Sequence, residues 1–277
     1  MKKQLVLILI LCISKVCFST QKQSINNNWQ FSLENSEWKT IDLPHTWNSE
    51  DSYSDLPYYR GTGWYKKNIT IDKELLPKEL YLQFDGVNAF ADLYINNEFV
   101  GSHKGGYTAF RFNISKFTKE GINEIKVKVN NELNENYTPL GGDFTIFGGI
   151  YRDVSLLIGN KIHIDMDNLS SSGVFLKAQE LDETSAKVNL QTKLVNRGKN
   201  DNKVYFEAKI KNRENRIVTE LRNTFSKNKT QRPSILYSLN LKILNYGVQI
   251  RLICIMLKSI YTTPKTNSLI RELKHLA

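Results

Sequence analysis

The segment LYLQFDGVNAFADLYINNEFV, residues 80–100, decides the fold of this chain, because its apolar side chains recur at every second position. The alternation is clear over residues 80–84 and again over 91–95, and Asn96-Asn97 then supplies residues that favour a turn. Residues 125–129 repeat the same period of two. Short alternating runs between polar turns are typical of antiparallel strands with one buried face. We therefore predict an all-β fold that begins with a β-sandwich over residues 25–158.

The region that follows repeats this pattern with longer polar loops. Apolar and polar residues alternate around Val188–Leu194 and Val204–Ile210, and a polar turn separates the two runs. This spacing favours an immunoglobulin-like sandwich, of which only about half of the seven strands are recognisable. The sequence thus predicts a second, incomplete sandwich over residues 160–230. Residues 231–277 lose the pattern and most acidic residues, so we expect an irregular or partly helical C-terminal tail.

The N-terminus has the features of an export signal. Lys2 and Lys3 precede the apolar run Leu5–Ile13, and small residues follow near position 20. We expect residues 1–20 to be a signal peptide and the protein to be exported, to the periplasm or beyond the cell. A retained membrane anchor is the weaker interpretation, because Lys15 interrupts a run that is short for a bilayer span. No later segment is long and apolar enough to predict a membrane span.

The net charge of +10 does not indicate nucleic-acid binding, because it is concentrated at the two ends. The first 20 residues carry +3 and residues 231–277 carry +6, so residues 21–230 are almost neutral. A nearly neutral body has no basic stripe to follow a phosphate backbone. We therefore expect no nucleic-acid partner.

The run PLGGDFTIFGGIYRDV, residues 139–154, is the strongest candidate for a functional loop. It places Asp143 among four glycines and several aromatic residues, a setting that a solvated surface loop does not require. The sequence leaves open whether Asp143 binds a ligand or only accepts hydrogen bonds from buried backbone amides. The four histidines do not show metal-ligand spacing, and no nucleotide-binding or serine-hydrolase motif occurs, so no cofactor, metal or catalytic residue is predicted.

Aromatic residues cluster ahead of the strand that contains Trp64. Sugar rings present a C–H face that stacks on aromatic rings, and their hydroxyls pair with planar polar groups. Tyr58, Tyr59 and Arg60 precede a glycine turn and are candidates for an exposed sugar-binding rim, although a structural role explains them as well. Trp64 itself is predicted to pack in the core.

Five ordered motifs in residues 25–158 resemble the N-terminal part of family 2 glycoside hydrolases, the group of β-galactosidases, β-glucuronidases and β-mannosidases. Their variants are most similar to those of exported β-galactosidase-like enzymes of Bacteroidetes. The motifs are LPHTW (43–47), YRGTGWY (59–65), FDGVN (84–88), GSHKGGYTAF (101–110) and the run 139–154.

This resemblance implies a jelly-roll sugar-binding domain, an immunoglobulin-like domain and then a (β/α)8 barrel that carries the two catalytic glutamates. Asp143 corresponds to the aspartate that, in the β-galactosidases, reaches the sugar and in some members a bound cation. The expected ligand is a β-linked, galactoside-like glycan. No segment of this sequence is recognisable as the barrel, so the resemblance implies a truncated glycosidase that does not hydrolyse substrate alone. A separately translated barrel would then be its partner.

The C-terminal tail, residues 231–277, suggests a reason why the strand pattern stops there. Asn245–Gln249 can be encoded by AAT TAT GGA GTC CAA. In an offset reading frame this DNA contains TTA TGG AGT CCA, which encodes Leu-Trp-Ser-Pro. In the family that this chain resembles, that motif lies near the closing strand of the second domain. We interpret residues 231–277 as the product of a frameshift near Gln231, which the nucleotide sequence tests. Two alternatives to a truncated glycosidase remain: a stand-alone carbohydrate-binding module and a non-functional product.

Overall fold

The computed structural model describes residues 20–34, 36–49, 51, 59–136, 146–181, 185–198, 202–211, 216–227, 234–242 and 251–260. Most of the predicted signal peptide lies outside these residues. The described part is built of β-strands and contains no α-helix, which confirms the all-β class. A short 3₁₀ helix occupies Lys73–Leu75. None of the helices in the described part is long and apolar enough to cross a membrane.

Seventeen strands are formed in the described residues. In chain order they are β1 (Gln21–Ser24), β2 (Trp29–Leu33), β3 (Lys39–Ile41), β4 (Thr62–Ile71), β5 (Glu79–Phe84), β6 (Phe90–Ile95), β7 (Glu98–Lys104), β8 (Phe110–Asn113), β9 (Gly121–Asn130), β10 (Val154–Gly159), β11 (Ile162–Ile164), β12 (Val174–Leu181), β13 (Ser185–Asn196), β14 (Asn202–Lys211), β15 (Ile217–Lys227), β16 (Ser234–Lys242) and β17 (Arg251–Ile260).

Two antiparallel sheets form the first sandwich. One has the strand order β1-β10-β5-β8 and the other β3-β2-β4-β9-β6-β7. The predicted alternation fixes which side chains face inward: residues such as Leu82, Phe84, Leu93 and Val127 are fully or almost fully buried in one core. Burial of this apolar surface is the main favourable contribution to folding. Strand β1 begins ahead of the predicted start at residue 25 and pairs with β10.

Two further sheets follow the boundary at Gly159. One has the order β11-β13-β12 with β16 also paired to β13, and the other has the order β15-β14-β17. Leu190, Leu194 and Phe206 are completely buried there, as the period of two predicts. These sheets contain more strands than the sequence pattern revealed, because strands from the tail complete them.

The expectation of an irregular or partly helical tail is wrong for the described residues. Strand β16 pairs with β13 over nine residues, and β17 pairs with β14. Ile235, Tyr237 and Leu239 stand in register opposite Thr192, Leu190 and Val188. Tertiary pairing with an existing strand satisfies backbone groups that weak local periodicity alone would leave without partners. The frameshift interpretation of residues 231–277 stays a prediction.

A buried carboxylate lies at the junction of the first sandwich with the segment that follows it. Glu79, at the start of β5, has a side chain only 4% exposed and forms ion pairs with Lys161 and, at 3.4 Å, with Arg197. Asn113 donates a hydrogen bond of 3.0 Å to the same carboxylate. Burial alone would raise the pKa of Glu79, but the hydrogen bonds from Lys161 and Asn113 and the two positive charges outweigh it and lower the pKa.

Candidate functional site

The base of the predicted functional loop is held by three buried asparagines. Residues 137–145, with Asp143, lie outside the described residues, but the chain on both sides is described. It leaves β9 through Asn131 and returns at Ile146–Gly149. Asn48 and Asn131 are fully buried and Asn88 is 6% exposed. All three side chains form hydrogen bonds with the backbone of the returning segment.

Asn131 connects the outgoing chain to the segment around Gly61. Its side-chain oxygen accepts a hydrogen bond of 2.9 Å from the Gly61 N–H, and its Nδ2 donates one of 3.1 Å to the carbonyl of Ile146. The two backbones also pair, since Asn131 N donates to Gly61 O at 3.1 Å. Both sides of the loop are thus joined through one buried amide.

Asn48 and Asn88 hold the returning segment from the other directions. Asn48 accepts from Gly148 N at 2.9 Å and donates to Ile146 O at 3.3 Å. Asn88 donates to Phe147 O at 2.7 Å, and its backbone exchanges two hydrogen bonds with Gly149. Backbone amides and carbonyls buried at a loop base would be costly without such partners. The three amides therefore fix where the loop begins and ends.

The two glycines of this segment allow close packing that a side chain would prevent. Gly149 has a φ of +126°, and a Cβ there would lie 2.5 Å from the carbonyl oxygen of His45 and 2.6 Å from the Tyr65 hydroxyl. A Cβ at Gly148 would collide with the ring of Trp47 and lie 2.6 Å from Nδ2 of Asn131. The packing of the loop base therefore requires glycine at positions 148 and 149.

An aromatic cluster supports the loop base from the core side. Trp47 stacks on Phe31 with ring centroids 5.9 Å apart and an angle of 9°. Nδ1 of His45 lies 2.8 Å from the hydroxyl of Tyr65, which also accepts a hydrogen bond of 3.4 Å from the amide of Ile150. Burial lowers the pKa of His45 and raises the pKa of Tyr65, so both are neutral at pH 7. The cluster supplies rigidity rather than charge.

The structure brings Tyr59 and Arg60 to this base. Nε of Arg60 donates a hydrogen bond of 2.9 Å to the carbonyl of Asn131. Tyr59 is 36% exposed, and its hydroxyl donates to Thr62 O at 3.4 Å while its ring covers Gly61. Tyr58, like Asp143, lies outside the described residues. The role of these four residues in binding stays a prediction.

The prediction that Trp64 packs in the core is wrong. Trp64 points to the outer face of its sheet and is partly exposed, whereas its neighbours Gly63 and Tyr65 face the core. Strand residues alternate between faces, so only one of two adjacent aromatic residues can be buried. Sequence reasoning also missed Asn48 and Asn131; their only signal was a position next to glycine-rich or aromatic motifs.

No group of three or more His, Cys, Asp or Glu side chains that could hold a metal ion occurs in the described ranges. The described loop base presents amides, a guanidinium, hydroxyls, an imidazole and aromatic rings. Such groups bind uncharged, hydroxyl-rich ligands through hydrogen bonds and ring contacts.

Comparison with known proteins agrees with this arrangement. Residues 16–159 match the family described as glycosyl hydrolases family 2, sugar binding domain, which is more than half of the chain. The chain belongs to glycosyl hydrolase family 2. The matched range contains the whole loop and the three asparagines that hold its base.

Several β-glucuronidases and β-galactosidases are similar to this chain over about two thirds of its length or more. A β-glucuronidase of Bacteroides fragilis is 40% identical over 203 residues, covering 71% of this chain and 29% of that enzyme. A β-galactosidase of Thermoanaerobacter pseudethanolicus is 32% identical, covering 67% and 25%. The crystal structure of a Bacteroides uniformis β-glucuronidase superimposes with a TM-score of 0.73 at 30% identity, covering 90% of this chain and 29% of that one. The chain thus spans less than a third of the length of these relatives.

Proposed function

We propose that this chain is the sugar-binding part of a glycosidase that acts on β-linked, galactoside-like glycans, and that Asp143 contacts the bound sugar. The observation that carries the proposal is the fixed loop base, in which three buried amides and two tightly packed glycines hold both ends of the Asp143 loop. A loop that only connects two strands does not need this number of buried polar contacts. Family membership supports a carbohydrate as the ligand.

Each predicted binding residue has a chemical role that suits a sugar. The carboxylate of Asp143 accepts hydrogen bonds from sugar hydroxyls. Arg60 uses Nε on the Asn131 carbonyl, and no hydrogen bond of its outer guanidinium nitrogens is formed within the described residues, so these can donate to hydroxyls. The exposed edge of Tyr59, with Tyr58 beside it in sequence, provides an apolar contact for a ring face.

Hydrolysis is proposed for the complete glycosidase and not for this chain by itself. Cleavage of a glycosidic bond requires two carboxyl groups on opposite sides of the bond, one of them an acid that protonates the leaving group. We assign neither role to a residue of this sequence. The proposed partner is a catalytic barrel that closes the other side of the sugar pocket, and the proposed location is outside the cytoplasm.

The experiment is a titration of the purified full chain with methyl β-galactoside and methyl β-glucuronide, followed by NMR. We expect weak, saturable binding of at least one sugar and a loss of about tenfold or more in Asp143→Asn, because hydrogen bonds to a charged group are stronger than neutral ones. Asp72→Asn is the control, since Asp72 is exposed and its side chain forms no cap bond.

Two results would contradict the proposal. If neither sugar binds, or if Asp143→Asn binds like the Asp72→Asn control, the loop is not a sugar site. Turnover of nitrophenyl β-galactoside by the purified chain would show that the assignment of hydrolysis to another part of the enzyme is wrong.

A further inference from the structure

The outer face of the six-stranded sheet carries an aromatic groove that is separate from the loop base. The groove has a volume of about 560 Å³ and is lined by Trp38, Trp64 and Tyr94 together with polar residues. Trp64 lies on β4 and Tyr94 on β6, and the neighbours of both in sequence are buried on the opposite face of the sheet. The residues that line the groove do not include the asparagines that hold the Asp143 loop.

The rings of this groove are arranged as a platform. Trp64 and Tyr94 have centroids 6.2 Å apart at an angle of 37°, and Phe99 stands against Tyr94 at 5.5 Å. Trp38 is 42% exposed and Phe99 is 54% exposed. Aromatic rings that are half open to water on a sheet face leave apolar surface unburied, which marks a binding surface more than a stabilising contact.

Three lysines lie on strands of the sheet that carries the platform. Strand pairing puts Lys66 of β4 opposite Lys126 of β9, and puts Lys126 opposite Tyr94. Two residues further along the same pair of strands, Lys128 of β9 stands opposite Trp64 of β4. Lys126 is compensated, because it forms an ion pair of 3.1 Å with Glu124 and a hydrogen bond of 2.9 Å with Asn97.

The other two lysines have no carboxylate partner among the described residues. Lys66 places its ammonium 3.9 Å from the centre of the Trp38 ring, and Lys128 forms no ion pair with the facing Asp92. A ligand of this groove therefore meets aromatic faces with the ammonium of Lys66 beside them, above the ring of Trp38. Lys128 lies on the same sheet face, next to Trp64 and opposite Asp92. The size of the groove falls in the range typical of small-molecule sites.

We infer that this groove binds an anionic glycan, with pyranose rings stacked on Trp38, Trp64 and Tyr94 and acid groups paired with Lys66 and Lys128. An apolar ligand would leave the lysines desolvated and unpaired, and a simple anion would leave the rings unused. A glycan that carries carboxylate or sulfate groups satisfies both. The inference goes beyond the proposed function, because it concerns a second surface and not the pocket that Asp143 serves.

The test is a titration of the full chain with three probes: a hexameric alginate, a sulfated carrageenan hexamer and neutral cellohexaose. We expect binding of at least one anionic hexamer, and the two arms tell a carboxylate from a sulfate preference. Trp64→Ala should weaken this binding roughly tenfold, as removal of a central aromatic contact does. The double variant Lys66→Ala/Lys128→Ala should remove most of the preference for the anionic hexamer over cellohexaose.

Two matched variants control for general charge and general stickiness. Lys73→Ala removes an exposed lysine outside the groove, and Tyr107→Ala removes an exposed aromatic residue outside it. Both should bind the anionic hexamer like the unaltered chain. Thermal unfolding verifies that each variant is folded, and Tyr94→Ala provides a second groove variant if Trp64→Ala is not.

Three outcomes would overturn the inference. The first is equal binding of all three probes. The second is a loss of binding in Lys73→Ala that is as large as the loss in the groove double variant. The third is self-association of the chain that Trp64→Ala abolishes, with no binding of any glycan. Asp143→Asn should leave alginate binding unchanged, so failure here is distinguishable from failure of the proposed function.

Discussion

Replacing Asn131 by alanine tests the claim that one buried amide joins both ends of the Asp143 loop. The change removes an acceptor from the Gly61 N–H and a donor from the Ile146 carbonyl. The carbonyl keeps a partner, because Asn48 also donates to it at 3.3 Å. The Gly61 N–H loses its hydrogen bond in a buried position, and this single group determines most of the cost.

The expected loss is about 2–4 kcal/mol in the free energy of unfolding. An unsatisfied buried donor costs about 1–3 kcal/mol, and the small cavity left by the amide adds about 1 kcal/mol. For a domain of this size the corresponding decrease in melting temperature is roughly 5–15 °C. The sugar affinity of the loop should fall as well, because its two ends are no longer fixed to each other.

The assay is urea unfolding followed by tryptophan fluorescence, with thermal unfolding by circular dichroism as a second measure. Asn27→Ala is the matched control, since Asn27 is exposed and its side chain forms no hydrogen bond in the described structure. We expect the control to change the free energy of unfolding by less than about 0.5 kcal/mol. If Asn131→Ala unfolds at the same urea concentration as Asn27→Ala, the amide does not hold the loop base and the argument is refuted.

Two further substitutions test the packing and the charges. Gly149→Ala should destabilise the chain by more than about 3 kcal/mol, because its Cβ would lie 2.5 Å from a carbonyl oxygen. The control is Gly121→Ala, which is also at positive φ but has no atom within 4 Å of the added Cβ, and it should cost only about 1 kcal/mol. Equal losses of stability in urea unfolding would disprove the steric explanation. Glu79→Gln should cost about 1–3 kcal/mol at pH 7. Because the pKa of Glu79 is lowered from 4.5 by folding, its stabilising effect is present above about pH 4.5 and is lost as the pH falls through the lowered value. The difference between Glu79→Gln and the unaltered chain should therefore shrink as the pH is lowered below 4.5. Glu124→Gln, which removes a surface pair, should cost less than about 1 kcal/mol throughout this range. A difference that does not depend on pH would count against the buried ion network.

The alternation of apolar and polar residues predicts the strands correctly where one face of the strand is buried. Residues 80–84 and 91–95 form β5 and β6 with the predicted inward faces, because the period of a strand is a property of its own backbone. The glycines of the run 139–154 are expected to allow close approach of the backbone, and Gly148 and Gly149 do so against Trp47 and His45. These features depend on residues close together in the chain.

The errors arose where a partner distant in sequence decides the outcome. Trp64 was assigned to the core because it is large and apolar, but the alternation of β4 gives the inward position to Tyr65. The tail was expected to be irregular because its own periodicity is weak, yet β16 has nine residues in register with β13. Alternation alone shows that Trp64 and Tyr65 cannot both be buried. Which of the two faces the core depends, like the pairing of β16, on what lies opposite.

The sequence by itself determined that this chain is all-β, that it begins with a sandwich similar to the sugar-binding domain of family 2 glycosidases, and that the run 139–154 is unusually rich in glycine. Only the tertiary structure decided how that loop is held. Asn48, Asn88 and Asn131 are separated by about 40 residues each, and nothing local shows that their amides meet at Ile146–Gly149. The same is true of the groove, where Trp38, Trp64 and Tyr94 come from three distant segments. Periodicity fixes the face to which a side chain points, whereas strand order and register fix its neighbours, and binding depends on the neighbours.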